Sequence, residues 1–324
     1  MISRRRFVAS ALFAPLAVRG QQPQAHRIGY LLFAPLTAKP SPERAAFLAE
    51  LRSLGYAEGR NLRIEYRSAD ANRDALAPLA EDLVRERVEL IVATSTPGAR
   101  AAAQATRAIP VVFIGVGDAQ RAGLVNNFAR PEANVTGVTW LTFETVEKRF
   151  QLLKETLPHA QRVALVWNPA DTASVELHPV VREAATRLRL GLDDYPITGV
   201  EDLQRVLERM AREKPVALFV MPDSRMVTYR KIIADEALKL RIPCFSSYRG
   251  FVEAGALMSY AADLTDLYRR GANFVARILG GARVADLPVE QPTRFQLVVN
   301  LRTAKTLGLK IPNSVMVLTD EMIE

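Results

Sequence analysis

Residues 89–105 read Glu-Leu-Ile-Val-Ala-Thr-Ser-Thr-Pro-Gly-Ala-Arg-Ala-Ala-Ala-Gln-Ala, and their reading decides the fold. Leu90 to Ala93 suit a buried strand. Thr94, Ser95, Thr96, Pro97 and Gly98 form a short polar turn, and an alanine-rich helix follows. A strand that feeds a helix through such a turn aims backbone N–H groups and hydroxyls at whatever lies above the strand's carboxyl end, which suits a small anionic group. The plainer alternative is an ordinary capped helix after a strand.

The same rhythm extends in both directions. Upstream, Ile28 to Phe33 and Leu62 to Arg67 are strand-like, and helices are expected from about Pro42 to Leu54 and from Leu76 to Arg87. Val111 to Val116 is a fourth strand ending in Gly117-Asp118. Gly115 and Gly117 fall short of a dinucleotide fingerprint because Gln120 stands where the third glycine belongs. Asn134 to Trp140 leads into a helix from about Phe143 to Leu157, and the alternation restarts. Strands are expected at Val163 to Trp167, Leu192 to Pro196, Val216 to Met221, Pro243 to Ser246 and Ala256 to Tyr260. Helices between them cover Glu176 to Leu188, Val200 to Glu213 and a segment ending at Leu240. This alternation predicts an α/β protein of two Rossmann-like lobes with mainly parallel sheets, whose strand ends face each other across a cleft.

The tail holds a helix at Leu264 to Gly280, a strand at Phe295 to Asn300, a short helix at Leu301 to Leu307 and a closing segment from Ile311 to Glu324. These elements are too few for a third core, so they complete the first two and require several crossings between the lobes. The expected division is 26–138 plus about 262–288 for one lobe, and 139–261 plus about 289–324 for the other. A multi-crossing hinge of this kind is suited to closing over a small ligand.

Composition bounds the function. The chain has 324 residues, is 24% charged and carries a formal net charge of +8, but Arg4, Arg5, Arg6 and Arg19 precede any acidic residue, and without them the net charge is +4. The other basic residues are interleaved with acidic ones, so no nucleic-acid partner is expected. The basic start and the apolar run from Phe7 to Val18 read as a secretory signal over residues 1–25. About 12 apolar residues are too few to span a bilayer core that needs roughly 20. Ser3-Arg4-Arg5-Arg6-Phe7-Val8 resembles a twin-arginine export signature, with cleavage expected near Ala25 and a general secretory signal as the alternative. No cysteine follows the apolar run, so no lipid anchor and no stable membrane insertion are expected, and the product is expected to be a periplasmic monomer. Cys244 stands alone, and His26, His159 and His178 have no metal-ligand spacing, so neither a disulfide nor a metal nor any other cofactor is expected.

Four stretches carry a family resemblance: Leu54-Gly-Tyr-Ala-Glu-Gly-Arg-Asn61, Ala129-Arg-Pro-Glu-Ala-Asn-Val-Thr-Gly137, Phe251-Val-Glu-Ala-Gly-Ala-Leu-Met-Ser-Tyr260 and Asn300-Leu-Arg-Thr-Ala-Lys-Thr-Leu-Gly-Leu-Lys-Ile-Pro312. In that order they resemble the substrate-binding proteins of ABC transporters, in the branch of tryptophan-binding, TrpX-like proteins. The resemblance implies a periplasmic-binding-protein type I fold, a ligand held between the lobes and docking onto permease subunits. The chain departs from the pattern at Thr94-Ser95-Thr96, where the family often has glycines, and at Gly117-Asp118-Ala119, where it often has a GDP turn.

The residues expected to meet ligand lie at the strand ends. Thr94, Ser95 and Thr96 suit a carboxylate. Asp118 suits an ammonium or a hydroxyl, or else caps the next helix, and Phe33 packs either on ligand or in the core. In the second lobe Asn168 and Asp223 occupy equivalent posts, with helix capping as the alternative for each. Trp140, Tyr248 and Tyr260 stand near the crossings as aromatic walls or hinge filler. Together these groups suit an amino acid or a similar carboxylate. The competing reading is an exported hydrolase using Asp118 and Asp223 as acid and base. Against it, the chain lacks a G-x-S-x-G elbow and a nucleophile paired with histidine. A ligand-sensing regulator of the same fold is disfavoured by the export signal and by the lack of a helix-turn-helix segment before Ile28.

Overall fold

The computed structural model describes residues 25–131 and 133–324. The export signal read from the sequence therefore lies outside the described residues, apart from Ala25. The first part of the chain runs β1 (His26–Leu32), α1 (Pro42–Ser53), β2 (Leu62–Ser68), α2 (Leu76–Arg85), β3 (Leu90–Thr94), α3 (Thr96–Ala105), β4 (Val111–Val116) and β5 (Val135–Thr139). The second runs α4 (Val146–Thr156), β6 (Arg162–Trp167), α5 (Thr172–Arg187), β7 (Gly191–Pro196), α6 (Val200–Glu213), β8 (Leu218–Val220), α7 (Ser224–Lys239), β9 (Cys244–Ser246), α8 (Arg249–Glu253) and β10 (Met258–Ala262). The tail adds α9 (Leu264–Leu279), β11 (Phe295–Asn300), α10 (Leu301–Leu307), α11 (Asn313–Val317) and β12 (Glu321–Ile323).

The first sheet has the order β2-β1-β3-β4-β5 and is parallel throughout. The second has the order β12-β11-β10-β9-β8-β6-β7, and only the β10–β11 pair is antiparallel. Counted from β6, the second sheet repeats the 2-1-3-4-5 order of the first and then extends it by β11 and β12. Each sheet therefore has a topological switch point beside its first strand, between β1 and β3 and between β6 and β8. At such points the loops diverge to opposite faces and leave a crevice at the carboxyl ends.

Burial follows from this layering. β3 is buried along its whole length because helices cover both faces of its sheet, whereas the edge strand β7 is mostly half-buried, with only its two end residues exposed. Each sheet carries a hydrophobic cluster on either face. In the first sheet, Leu31, Ile91 and Phe113 pack beneath α2 and α3, while Ile28 and Tyr30 pack beneath Phe47 of α1 and Phe274 of α9.

Three crossings link the two sheets. The chain leaves β5 at Thr139 for α4, and returns from β10 to α9, which packs on α1, β4 and β5. It then passes Glu290, which bridges Val138, and enters β11. Trp140 and Tyr260 tie these crossings together. The Trp140 indole N–H donates to the Ala262 carbonyl at 3.3 Å, and Tyr260 stacks on Phe295 with 6.0 Å between ring centroids.

Several local expectations need correction. β5 reads in the sequence only as a lead-in to a helix, yet it is an edge strand. Gly137 interrupts its β-branched run because a Cβ there would fall 2.0 Å from the Phe113 carbonyl oxygen. α4 starts at Val146 rather than near Phe143, because Thr142 and Thr145 belong to a turn held by the buried Arg149. α5 starts four residues before Glu176, at Thr172, because Asp171 caps it through the Ser174 amide at 2.9 Å. Finally, the polar turn after β3 is shorter than five residues. Thr94 ends the strand, Ser95 is the cap, and Thr96, Pro97 and Gly98 already belong to the first turn of α3.

Candidate functional site

The carboxyl ends of the two sheets enclose a cavity of about 540 Å³, within the size range of small-molecule sites. Phe33, Thr94, Ser95, Thr96, Asp118, Trp140, Asn168, Asp223 and Tyr248 all line it. Tyr260 does not. It sits on β10 opposite Leu297 and turns toward Phe295, so it fills the hinge rather than the cavity wall. Phe33 belongs both to the cavity rim and to the cluster beneath α2 and α3.

The β3–α3 turn is built on an unusual backbone. Ser95 has φ +72°, a region that side-chain-bearing residues seldom occupy and glycine occupies freely. This chain sustains that conformation with serine. The Ser95 hydroxyl accepts from the Gly98 amide at 3.5 Å, and the Thr96 hydroxyl accepts from the Gly117 amide at 3.3 Å. Thr94 donates to the Leu31 carbonyl at 3.3 Å. These hydroxyls thus fix the turn to β1 and β4 while standing in the cavity wall.

The β8–α7 turn follows the other sheet's switch point and uses a carboxylate. One Asp223 oxygen accepts from the Arg225 and Met226 amides at 2.8 and 3.1 Å and so caps α7. The other accepts from Asn168 at 3.3 Å. Burial pushes the Asp223 carboxyl above the ordinary aspartate range, and the nearby charge of Asp171 pushes the same way. The two amides and Asn168 pull back less strongly. No basic side chain among the described residues ion-pairs with Asp223. The other cavity aspartates near the strand ends differ in this respect. Asp118 is held by the Gln120 and Arg121 amides and lies 3.3 Å from the Arg121 guanidinium, and Asp171 pairs with Arg73 at 3.0 Å.

Sequence reasoning missed the residues that reach across the cavity. Arg73 extends from the turn before α2 to Asp171 and to the Ala170 carbonyl at 3.3 Å. Arg100 of α3 lies 3.6 Å from Glu176 of α5. On the opposite side, the Tyr248 hydroxyl donates to Glu43 of α1 at 3.4 Å. Tyr248 is held by a close approach beneath it, since a Cβ on Gly250 would meet its ring at 2.4 Å. Helix-start polarity was the available signal for Glu43, because Ser41 caps α1 through the Arg44 amide and places an acidic residue in the first turn.

Comparison with known proteins fits this geometry. The family model for ABC transporter substrate binding proteins matches residues 42–323. A tyrosine-binding protein of Clostridioides difficile is 26% identical over 277 residues, covering 85% of this chain and 79% of its own length. The crystal structure of a conserved domain protein from Vibrio cholerae superposes with a TM-score of 0.85 at 28% identity, covering 92% of this chain and 100% of the other. A Streptococcus domain crystallised in complex with L-Trp superposes with a TM-score of 0.82 at 22% identity, covering 93% and 100%; it supports the two-lobe fold. The matched family consists of transport receptors rather than enzymes, so the hydrolase reading falls. The chain belongs to the family of ABC transporter substrate-binding proteins.

Proposed function

We propose that this protein is the periplasmic receptor of an ABC importer for an amino acid, which it holds in the cavity between its sheets and delivers to permease subunits. The observation that carries the proposal is the pairing of two unlike strand-end turns across one cavity. The Ser95–Thr96 turn at the start of α3 offers hydroxyls and a helix N-terminus to a carboxylate. Asp223, half-buried and without a basic partner among the described residues, offers its charge to an ammonium. The binding named for the Clostridioides difficile relative and the L-Trp complex of the Streptococcus domain support an amino acid as the ligand.

Closure follows from the same geometry. Arg73 with Asp171 and Tyr248 with Glu43 bridge the lobes at opposite sides of the cavity. A ligand that engages both turns favours the arrangement in which these bridges form. No helix among the described residues is long and apolar enough to cross a membrane. The export signal read from residues 1–25 and the family's role outside the cytoplasm support a periplasmic site of action.

Thermal unfolding of the purified chain against a panel of amino acids tests the proposal. A ligand present at 100 times its Kd stabilises by about 2.7 kcal/mol, which is readily measured. A panel in which no amino acid raises the transition overturns the reading.

A further inference from the structure

Arg149 of α4 is a buried cation that the packing of the second lobe does not call for. It is 3% exposed, forms no ion pair among the described residues, and its Nε and Nη1 have no hydrogen-bond partner among them either. It stands near the N-terminal end of its helix, where the macrodipole opposes a positive charge. Burial pulls the guanidinium down to about 9, with Tyr260 pushing back less strongly, so the charge persists at neutral pH. Methionine would pack at this position without these costs.

What Arg149 holds is the first crossing between the lobes. Its Nη2 donates to the Thr142 carbonyl at 2.8 Å and to the Thr145 hydroxyl. Both belong to the bend between β5 and α4, in which Leu141 takes φ +51° and Thr145 stands at the helix cap without capping it. The Thr145 hydroxyl instead donates back to the Leu141 carbonyl at 3.0 Å. The bend is therefore strained and short of local support, and the guanidinium supplies that support.

The contact continues into the first lobe. The Thr142 amide donates to the Gly117 carbonyl at 3.2 Å, and the Gly117 amide donates to the Thr96 hydroxyl at 3.3 Å. Gly117 permits this approach, since a Cβ there would come 3.3 Å from the Thr142 hydroxyl oxygen. One run of hydrogen bonds thus leads from Arg149, through the backbones of Thr142 and Gly117, to the turn at the start of α3 that stands in the cavity wall. Its other end is fixed in the second lobe, because Phe150, next to Arg149, stacks on Phe219 of β8 with 4.3 Å between ring centroids.

We propose that Arg149 is a positioning residue that couples the Thr96 turn in the cavity wall to the crossing about which the lobes rotate. The angle between the lobes and the geometry of the ligand-side turn are then set together rather than independently. The coupling holds for any ligand, so it stands or falls apart from the amino-acid reading above.

Amide hydrogen exchange of the intact, ligand-free protein and its Arg149→Met variant tests the coupling. Methionine removes the buried charge without stranding a carboxylate, so the variant is expected to fold. The Thr142 and Gly117 amides are expected to exchange about tenfold faster or more in the variant, relative to the β6 and β8 amides that report the second lobe's own stability. Gly117 is the deciding reporter, because it lies beyond Thr142 in the other lobe. Should Arg149→Met fail to fold, Thr145→Val decides in its place, since it removes one of the two groups that the guanidinium holds. The same comparison is then expected to show about threefold faster exchange at Gly117. Faster exchange at Thr142 alone, or no change at either amide relative to β6 and β8, overturns the coupling.

Discussion

The β3–α3 and β8–α7 turns occupy the same place in two sheets of the same strand order, and they solve the same problem by opposite means. Both must start a helix immediately after a buried strand and leave something useful at the cavity wall. The first uses a neutral serine on a left-handed backbone, so its strain is conformational. The second uses a carboxylate on an extended backbone (φ −156°, ψ 144°), and its strain is electrostatic, a half-buried charge without a counter-ion among the described residues. A repeated topology therefore does not impose repeated chemistry. Each turn is suited to one end of a zwitterion.

Breaking the charged turn gives the largest effect. Asp223→Ala removes the α7 cap and the proposed ammonium partner together. Binding is expected to weaken about 10- to 150-fold, the range for a hydrogen bond to a charged group. Stability is expected to fall by about 1 kcal/mol for the lost cap. Asp223→Asn separates the two roles, since asparagine also caps. It is expected to lose a similar amount of affinity while remaining at least as stable as wild type at neutral pH, where the buried charge is removed and the cap kept. Titration calorimetry and denaturant unfolding on the same samples distinguish the roles; an Asn variant of unchanged affinity removes Asp223 from the site.

Acidity sharpens the same comparison. The Asp223 carboxyl is raised in the folded protein, so its contribution to stability is fully present below the unfolded value of about 3.9. That contribution is lost as pH rises through the higher folded value. Ligand affinity runs the other way, because an ammonium prefers the ionised carboxylate. Affinity is expected to fall as pH drops through the raised Asp223 value and to stay level above it. Asp223→Asn should flatten both profiles, and the neutral Ser95 turn should contribute to neither. A wild-type affinity profile that matches the Asn variant's refutes the charged role.

The contrast also marks what the sequence disclosed. Strand-end residues such as Asn168 and Asp223 were legible because a buried apolar run followed by a polar residue fixes where a side chain emerges. The left-handed backbone of Ser95 was hidden, since a Thr-Ser-Thr run carries no local mark of a positive φ. β5 escaped because Gly137, required by the close approach of Phe113, breaks the strand pattern. Arg73 and Glu43 were illegible for another reason: their partners, Asp171 and Tyr248, lie on the other lobe, and local periodicity carries no record of a contact between lobes. Tyr260 misled because proximity to a crossing does not decide which way a ring turns.

Relaxing the strained turn has a smaller effect. Ser95→Ala keeps φ +72° but loses the cap, and is expected to cost about 1 kcal/mol of stability. Ser95→Gly loses the same hydroxyl yet relieves the backbone, so it is expected to lie closer to wild type in thermal unfolding than the alanine variant does. Both are expected to weaken binding by about 3- to 10-fold. If alanine proves the more stable of the two, the turn is not under the strain its geometry implies.

The bridge that joins the turns' neighbourhoods contributes least to stability. The Arg73 side chain is 37% exposed where it meets Asp171, and exposed ion pairs contribute about 0 to 1 kcal/mol, less as salt rises. Asp171 also keeps its second oxygen on the Ser174 amide, so losing Arg73 does not strip it of hydrogen bonds. Arg73→Ala is therefore expected to leave the unfolding transition of the ligand-free protein nearly unchanged. Its effect belongs to closure, as a modest loss of affinity that shrinks in high salt, because the pair joins elements of different lobes and forms only where they meet. Titration at two ionic strengths reads this directly, and a loss of affinity independent of salt would place Arg73 on the ligand itself, adding a third charged contact to the two turns.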